Sequence, residues 1–203
     1  MNLNLLRPIK VFFFVALFTT GVASAAQPGM NVTFALDGTS TTPRVTKAPS
    51  SFNFGASGFN FGGGALLDFS FLEDSTISLG ALYVNRSFSD GIYDVSSDAI
   101  NLSLVYRYWM GAFSVGTGLF YSNGLNLSYN AKTGGPGTTG FETYGIKKTD
   151  YGVIASLAMA VNPIFVEFRY EMDPGNIAVS SQETFRFKEM MLLLGYRYGV
   201  GGK

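Results

Sequence analysis

Cysteine and histidine are both absent from this 203-residue sequence, and only 14% of its residues are charged. Without thiols there is no disulfide framework, no thiolate nucleophile and no Cys-based metal site. Without imidazole the commonest general base and metal ligand is missing. Hydrolase, acyltransferase and protease mechanisms that pair His with Ser, Asp or Glu therefore lack their base. A soluble domain usually carries about a quarter charged residues, so this chain is short of charge for a wet surface. Its 14 basic and 14 acidic residues balance, which excludes the basic stripe of a nucleic-acid binder. A helix able to cross a bilayer is missing from the C-terminal half too. The apolar run Gly152 to Val166 would reach only about 22 Å as a helix, and Asn162-Pro163, a turn signal, interrupts it.

What the chain has in quantity is apolar and aromatic surface: 47% hydrophobic and 15% aromatic residues, with 25 Gly, 19 Phe and 11 Tyr. The N-terminus orders its own share of this. Arg7 and Lys10 precede the apolar run Val11 to Phe18, and Ala23-Ser24-Ala25 follows. That is the order of a secretory signal peptide, and we read 1–25 as a cleaved signal and 26–203 as a single domain. Beyond residue 28 the apolar pattern has period two. In "INLSLVYRYW" Ile100, Leu102, Leu104, Tyr106 and Tyr108 share one face, and Asn101, Ser103, Val105, Arg107 and Trp109 the other. Phe59, Phe61, Ala65, Leu67, Phe69 and Phe71 likewise oppose Asn60, Gly62, Gly64, Leu66, Asp68 and Ser70.

On this basis the sequence predicts an all-β chain of eight strands, over 29–37, 58–72, 76–88, 98–109, 113–129, 148–161, 164–172 and 187–199. Short links (73–75, 110–112, 162–163) alternate with long ones (38–57, 89–97, 130–147, 173–186), the pattern of a transmembrane barrel with short inner turns and long outer loops. An eight-stranded barrel has just enough interior for side chains to fill. The bulky Phe, Leu and Tyr face must then point outward, and a greasy exterior needs lipid. Closure pairs every backbone donor and acceptor, which hydrocarbon demands. The predicted fold is an eight-stranded antiparallel transmembrane β-barrel, an up-and-down meander.

These features resemble the small outer-membrane β-barrels of Gram-negative bacteria, the OmpA/OmpX-like proteins and the related outer membrane protein β-barrel domain family. The last strand, "LLLGYRYGV", carries the most specific likeness: Gly195, Tyr198 and Val200 fit the Gly-x-x-aromatic-x-hydrophobic ending read by the barrel-assembly machinery in that family. Leu193 stands where a polar residue is usual, and Gly201-Gly202-Lys203 follows the motif. The resemblance implies location in the outer membrane, outer-membrane lipid as surroundings and the assembly machinery as a partner during insertion. It implies no cofactor.

Parity places Asp68, Arg86, Arg107, Glu167, Arg169, Glu171 and Arg197 inside the barrel, where unpaired charge is costly, so a paired network is expected. Glu167 and Arg197 are the pair expected on adjacent strands. Such a network plugs and rigidifies a narrow barrel; the alternative is a narrow channel for ions or small solutes. Glu167 and Glu171 lie about 13 Å apart along a strand, too far for a glycosidase pair, so no catalytic residue is assigned. Asp90, Asp94 and Asp98 lack EF-hand spacing and read as solvated loop acids, so no metal site is assigned. The loops are the natural place for a surface ligand, with Phe141 and Tyr144 at one aromatic tip. The expected role is structural or adhesin-like and non-enzymatic. Tyr83, Tyr106, Tyr108, Tyr121, Tyr151, Tyr170, Tyr196 and Tyr198 fall on the lipid parity as girdle residues.

Overall fold

The computed structural model describes residues 29–46, 59–89, 93–133, 138–141, 146–173 and 184–200. The expected signal peptide, 1–25, lies outside them, as do Asp90 and Tyr144. The described elements are β1 (Gly29–Thr46), β2 (Phe59–Leu72), β3 (Ser75–Ser89), β4 (Tyr93–Met110), β5 (Phe113–Ala131), the two-residue β6 (Thr138–Thr139), β7 (Thr149–Val161), β8 (Ile164–Met172) and β9 (Thr184–Val200). Each long strand pairs antiparallel with its neighbours in chain order, and β1 closes the ring on β9 from Met30↔Val200 to Thr46↔Thr184. β6 only adds to the outer end of β5. This is an eight-stranded antiparallel transmembrane β-barrel in meander order, joined at one end by the turns at 73–74, 111–112 and 162–163.

Alternation sets which face meets what. Phe34, Leu36, Phe69, Ile77, Leu79, Leu102, Leu104, Val115, Leu119, Leu157, Phe168, Leu192 and Leu194 all point outward and are exposed; Leu36 is 72% exposed. An apolar girth of this extent is far more than a water-facing monomer tolerates. Tyrosines edge it in two rows. Tyr106, Tyr108, Tyr196 and Tyr198 stand toward the short turns, and Tyr83, Tyr121, Tyr151 and Tyr170 toward the opposite end. Their amphipathic rings suit the headgroup level on either side of a hydrocarbon layer.

Several strands outrun their predicted limits. β1 continues from 37 to Thr46, β4 begins at Tyr93 instead of 98, β5 ends at Ala131 and β9 begins at Thr184. The extra residues are rich in Ser, Thr, Asp and Asn, which in sequence read as loop. They are strand because β1 pairs with β9, and β4 with both β3 and β5, all the way up, so partners satisfy the backbone whatever the side chains are. Asp94, expected in a loop, is on β4 together with Asp98, expected at the strand's start.

Candidate functional site

The lumen holds the chain's densest chemistry. Asp68, Arg107, Glu167 and Arg169 have no exposed surface, and Arg86, Glu171 and Arg197 are also buried. The inner half forms one connected set. Arg107 donates to Asp68 (3.2 Å) and to Glu167 (2.8 Å). Arg169 donates to the same Glu167 oxygen (3.2 Å), lies 3.5 Å from Glu171 and donates to Ser103 (3.3 Å). Arg197 donates to Asp68 at 3.2 Å. The links of Arg107, Arg197 and Ser103 join β2 to β4, β4 to β8 and β9 to β2, skipping neighbouring strands, while the Arg169–carboxylate links stay within β8. Arg107 and Arg197 also lie over the rings of Phe165 and Trp109, while Trp109 donates its Nε1–H to Thr76 at 3.0 Å. Leu66, Leu82, Val84, Phe165, Met191 and Leu193 pack in the gaps.

Glycine makes room for this filling. A Cβ on Gly116 would lie 3.2 Å from Cγ of Arg107 and 2.5 Å from Oγ of Ser156. A Cβ on Gly80 would meet Oγ of Ser103 at 2.3 Å and Leu66 at 2.9 Å. Larger residues at either point would displace the side chains that span the lumen.

The expected Glu167–Arg197 pair does not form. Register explains why: Glu167 lies opposite Leu193, and Arg197 is four residues farther along β9, where its backbone N–H meets the Pro163 carbonyl at 2.7 Å. Both are on the inward face, but at different depths. Four lumen acids were not singled out from sequence: Asp37, Asp150, Asp173 and Glu189, all buried. Parity alone would have found Asp37, Asp150 and Glu189 on their strands. Glu189 is the partner of Arg86, which spans the lumen from β3 to β9 with Nε and Nη2, the latter at 3.2 Å. Gly195, Tyr198 and Val200 lie on β9 at the closing seam, Tyr198 opposite Val32 and Val200 opposite Met30.

Beyond the outer tyrosine row the polarity of the wall reverses. Outward from β3, β4 and β5 stand three registered rows: Asn85, Asp98 and Asn126; Ser87, Ser96 and Ser128; Ser89, Asp94 and Asn130. Asn85 donates to Asp98 at 2.6 Å, and an open groove of about 390 Å³ runs along the two upper rows. Inward, the same strand ends hold Phe88, Val95 and Leu127 in a buried cluster with Ile146 and Phe187. Phe141, expected at an exposed loop tip, is half-buried against this cluster because Gly124 leaves it space. Of the expected loop acids, Asp98 is held by Asn85 and Asp94 lies 3.8 Å from Lys132.

The fold and this girth define a small outer-membrane type of barrel. No family model matches the chain, and no curated protein matches it. Among solved structures it is similar to Ail, the attachment invasion locus protein of Yersinia pestis, at 11% identity over 85% of this chain and all of that one, with a TM-score of 0.52. Neisserial surface protein A (14% identity, 84% and 97% covered, TM-score 0.48) and OprG from Pseudomonas aeruginosa (11%, 87% and 99%, 0.46) are also similar. At such identities the likeness is one of fold: the chain shares the small eight-stranded outer-membrane barrel architecture of Ail.

Proposed function

We propose that this chain is an exported, integral outer-membrane barrel whose role is structural or adhesin-like, carried by its outward-facing end, with a plugged lumen. The observation behind this reading is the filled interior. Arginine–carboxylate links join non-adjacent strands in the inner half, Arg107–Glu167 reaching from β4 to β8, and apolar side chains occupy the spaces between them. Such a core rigidifies a barrel and leaves no continuous water path for ions. The polar rows on β3, β4 and β5, rising past the tyrosines, supply a stiff platform for contact with a surface ligand. Residues 1–25 would direct export, and Gly195, Tyr198 and Val200 would be read by the assembly machinery as β9 closes on β1. Without histidine, no base-assisted hydrolysis is assigned. Planar-bilayer recording of the refolded mature chain tests the reading: no steady conductance is expected. Stable single-channel steps would replace it with the narrow-channel alternative.

A further inference from the structure

In the inner lumen Asp68, Glu167 and Glu171 each meet an arginine; at the outer mouth Asp150 does not. Asn101, Ser122 and Asp150 stand side by side on β4, β5 and β7, because Asn101 pairs with Ser122 and Ser122 with Asp150. All three face inward, 1%, 1% and 4% exposed. Asp173, just past the end of β8 and also buried, lies within hydrogen-bond and electrostatic reach of Asp150. Asn101 gives its Nδ2 to Glu171 at 2.6 Å, which turns its Oδ1 away as an acceptor. Among the described residues no N–H donor reaches that Oδ1 or either carboxylate oxygen of Asp150, and Ser122 Oγ has no hydrogen-bond partner. The guanidinium whose field reaches Asp150 is that of Arg86, and its hydrogen bonds go to Glu189.

Four buried oxygens in one row without an N–H donor are costly unless something positive meets them. Among the described residues no arginine or lysine hydrogen-bonds any of these four oxygens. A hard cation does not need directed hydrogen bonds: calcium takes carboxylate, amide and hydroxyl oxygens together with water, in a flexible shell. Magnesium fits less well, because it demands a near-ideal octahedron and parts reluctantly with its waters. We propose that Asp150, Asp173, Asn101 Oδ1 and Ser122 Oγ form a calcium-class cation site at the outer mouth of the lumen. No three acidic side chains converge here among the described residues, so the ion is held by two carboxylates and neutral oxygens. Few charged ligands place the affinity in the weak range of extracellular modules, about 10⁻⁴–10⁻³ M. Asp150 sits one residue beyond Tyr151 of the outer tyrosine row, so the ion would be filled from the external medium. Bound there, it would tie β4, β5 and β7 to the end of β8.

The test uses the full mature chain refolded in detergent, with thermal unfolding followed in EGTA and in millimolar CaCl2 or MgCl2. Equilibrium dialysis against radioactive calcium counts bound ions. The site predicts one calcium per chain and a calcium-dependent rise in Tm on the order of 5 °C, with magnesium weaker. Asp150→Asn should lose the rise while matching or exceeding the wild type in EGTA, since it relieves repulsion with Asp173. Ser122→Ala, which keeps both carboxylates, should shift the calcium midpoint up roughly tenfold. Absence of binding and of a Tm shift in the wild type would overturn the site, as would a full shift in Asp150→Asn. Stability that follows pH identically in EGTA and calcium would overturn it too, assigning the two acids a shared proton. None of these readouts depends on whether the barrel conducts.

Discussion

The same strands build two opposite walls. Between the tyrosine rows, β3 and β4 turn Ile77, Leu79, Leu102 and Leu104 outward and keep Ser78, Ser103 and Arg107 inside. A few residues higher they turn Ser87, Ser89, Asp94 and Ser96 outward and bury Phe88 and Val95. Only the surrounding medium accounts for the change. In hydrocarbon, apolar side chains gain nothing by hiding, while polar ones must pair in the interior. In water the hydrophobic effect returns, and the ends of β3, β4 and β5 pack like an ordinary β-protein, with the Phe88, Val95 and Leu127 cluster inside and polar residues outside. The level at which the pattern inverts, just above Tyr83, Tyr121 and Tyr151, therefore marks one edge of the hydrocarbon layer on the molecule.

Four substitutions, one in each quadrant of this comparison, break or sharpen it, read by urea unfolding of the refolded protein in lipid vesicles. The largest effect is expected inside the membrane section. Arg107→Met leaves Asp68 and Glu167 short of a partner and should cost about 3–5 kcal/mol. A double-mutant cycle of Arg107 with Glu167 should couple by about 0.5–3 kcal/mol, whereas Glu167 with Arg197 should be near additive, since they share no bond. Outside the same section, Leu104→Arg should cost about 2–4 kcal/mol. Inside the outer section, Val95→Thr buries a hydroxyl in an apolar cluster and should cost about 1–3 kcal/mol. The smallest effect is at Ser96→Arg, on the same strand and face as Leu104 but above the tyrosines, where a change within about 0.5 kcal/mol is expected. Equal costs for Leu104→Arg and Ser96→Arg would remove the inversion, and with it the membrane boundary.

Alternation made most of the barrel readable in advance: the strand number, the inward set Asp68, Arg86, Arg107, Glu167, Arg169, Glu171 and Arg197, and the outward tyrosines. The outer ends were harder to read because a polar residue facing water on a strand looks like a loop residue. β5 adds a second obstacle. A bulge opposite Asp98 and Ala99 shifts its parity, so Leu127, which unbroken alternation from Leu119 and Tyr121 would place outward, is 3% exposed. Nothing in "YSNGLNLSY" marks where the slip falls, beyond a glycine that Phe141 then covers.

By itself the sequence determined which side chains face lipid and which face the lumen, because a strand's side chains alternate whatever its neighbours do. Only the tertiary structure decided which of them meet. Pairing across a lumen depends on the register of strands remote in sequence, and a shift of four residues separates Glu167 from Arg197 while Arg86 finds Glu189 on the far wall. The same registers bring Asn101, Ser122 and Asp150 together, three residues that no local pattern connects.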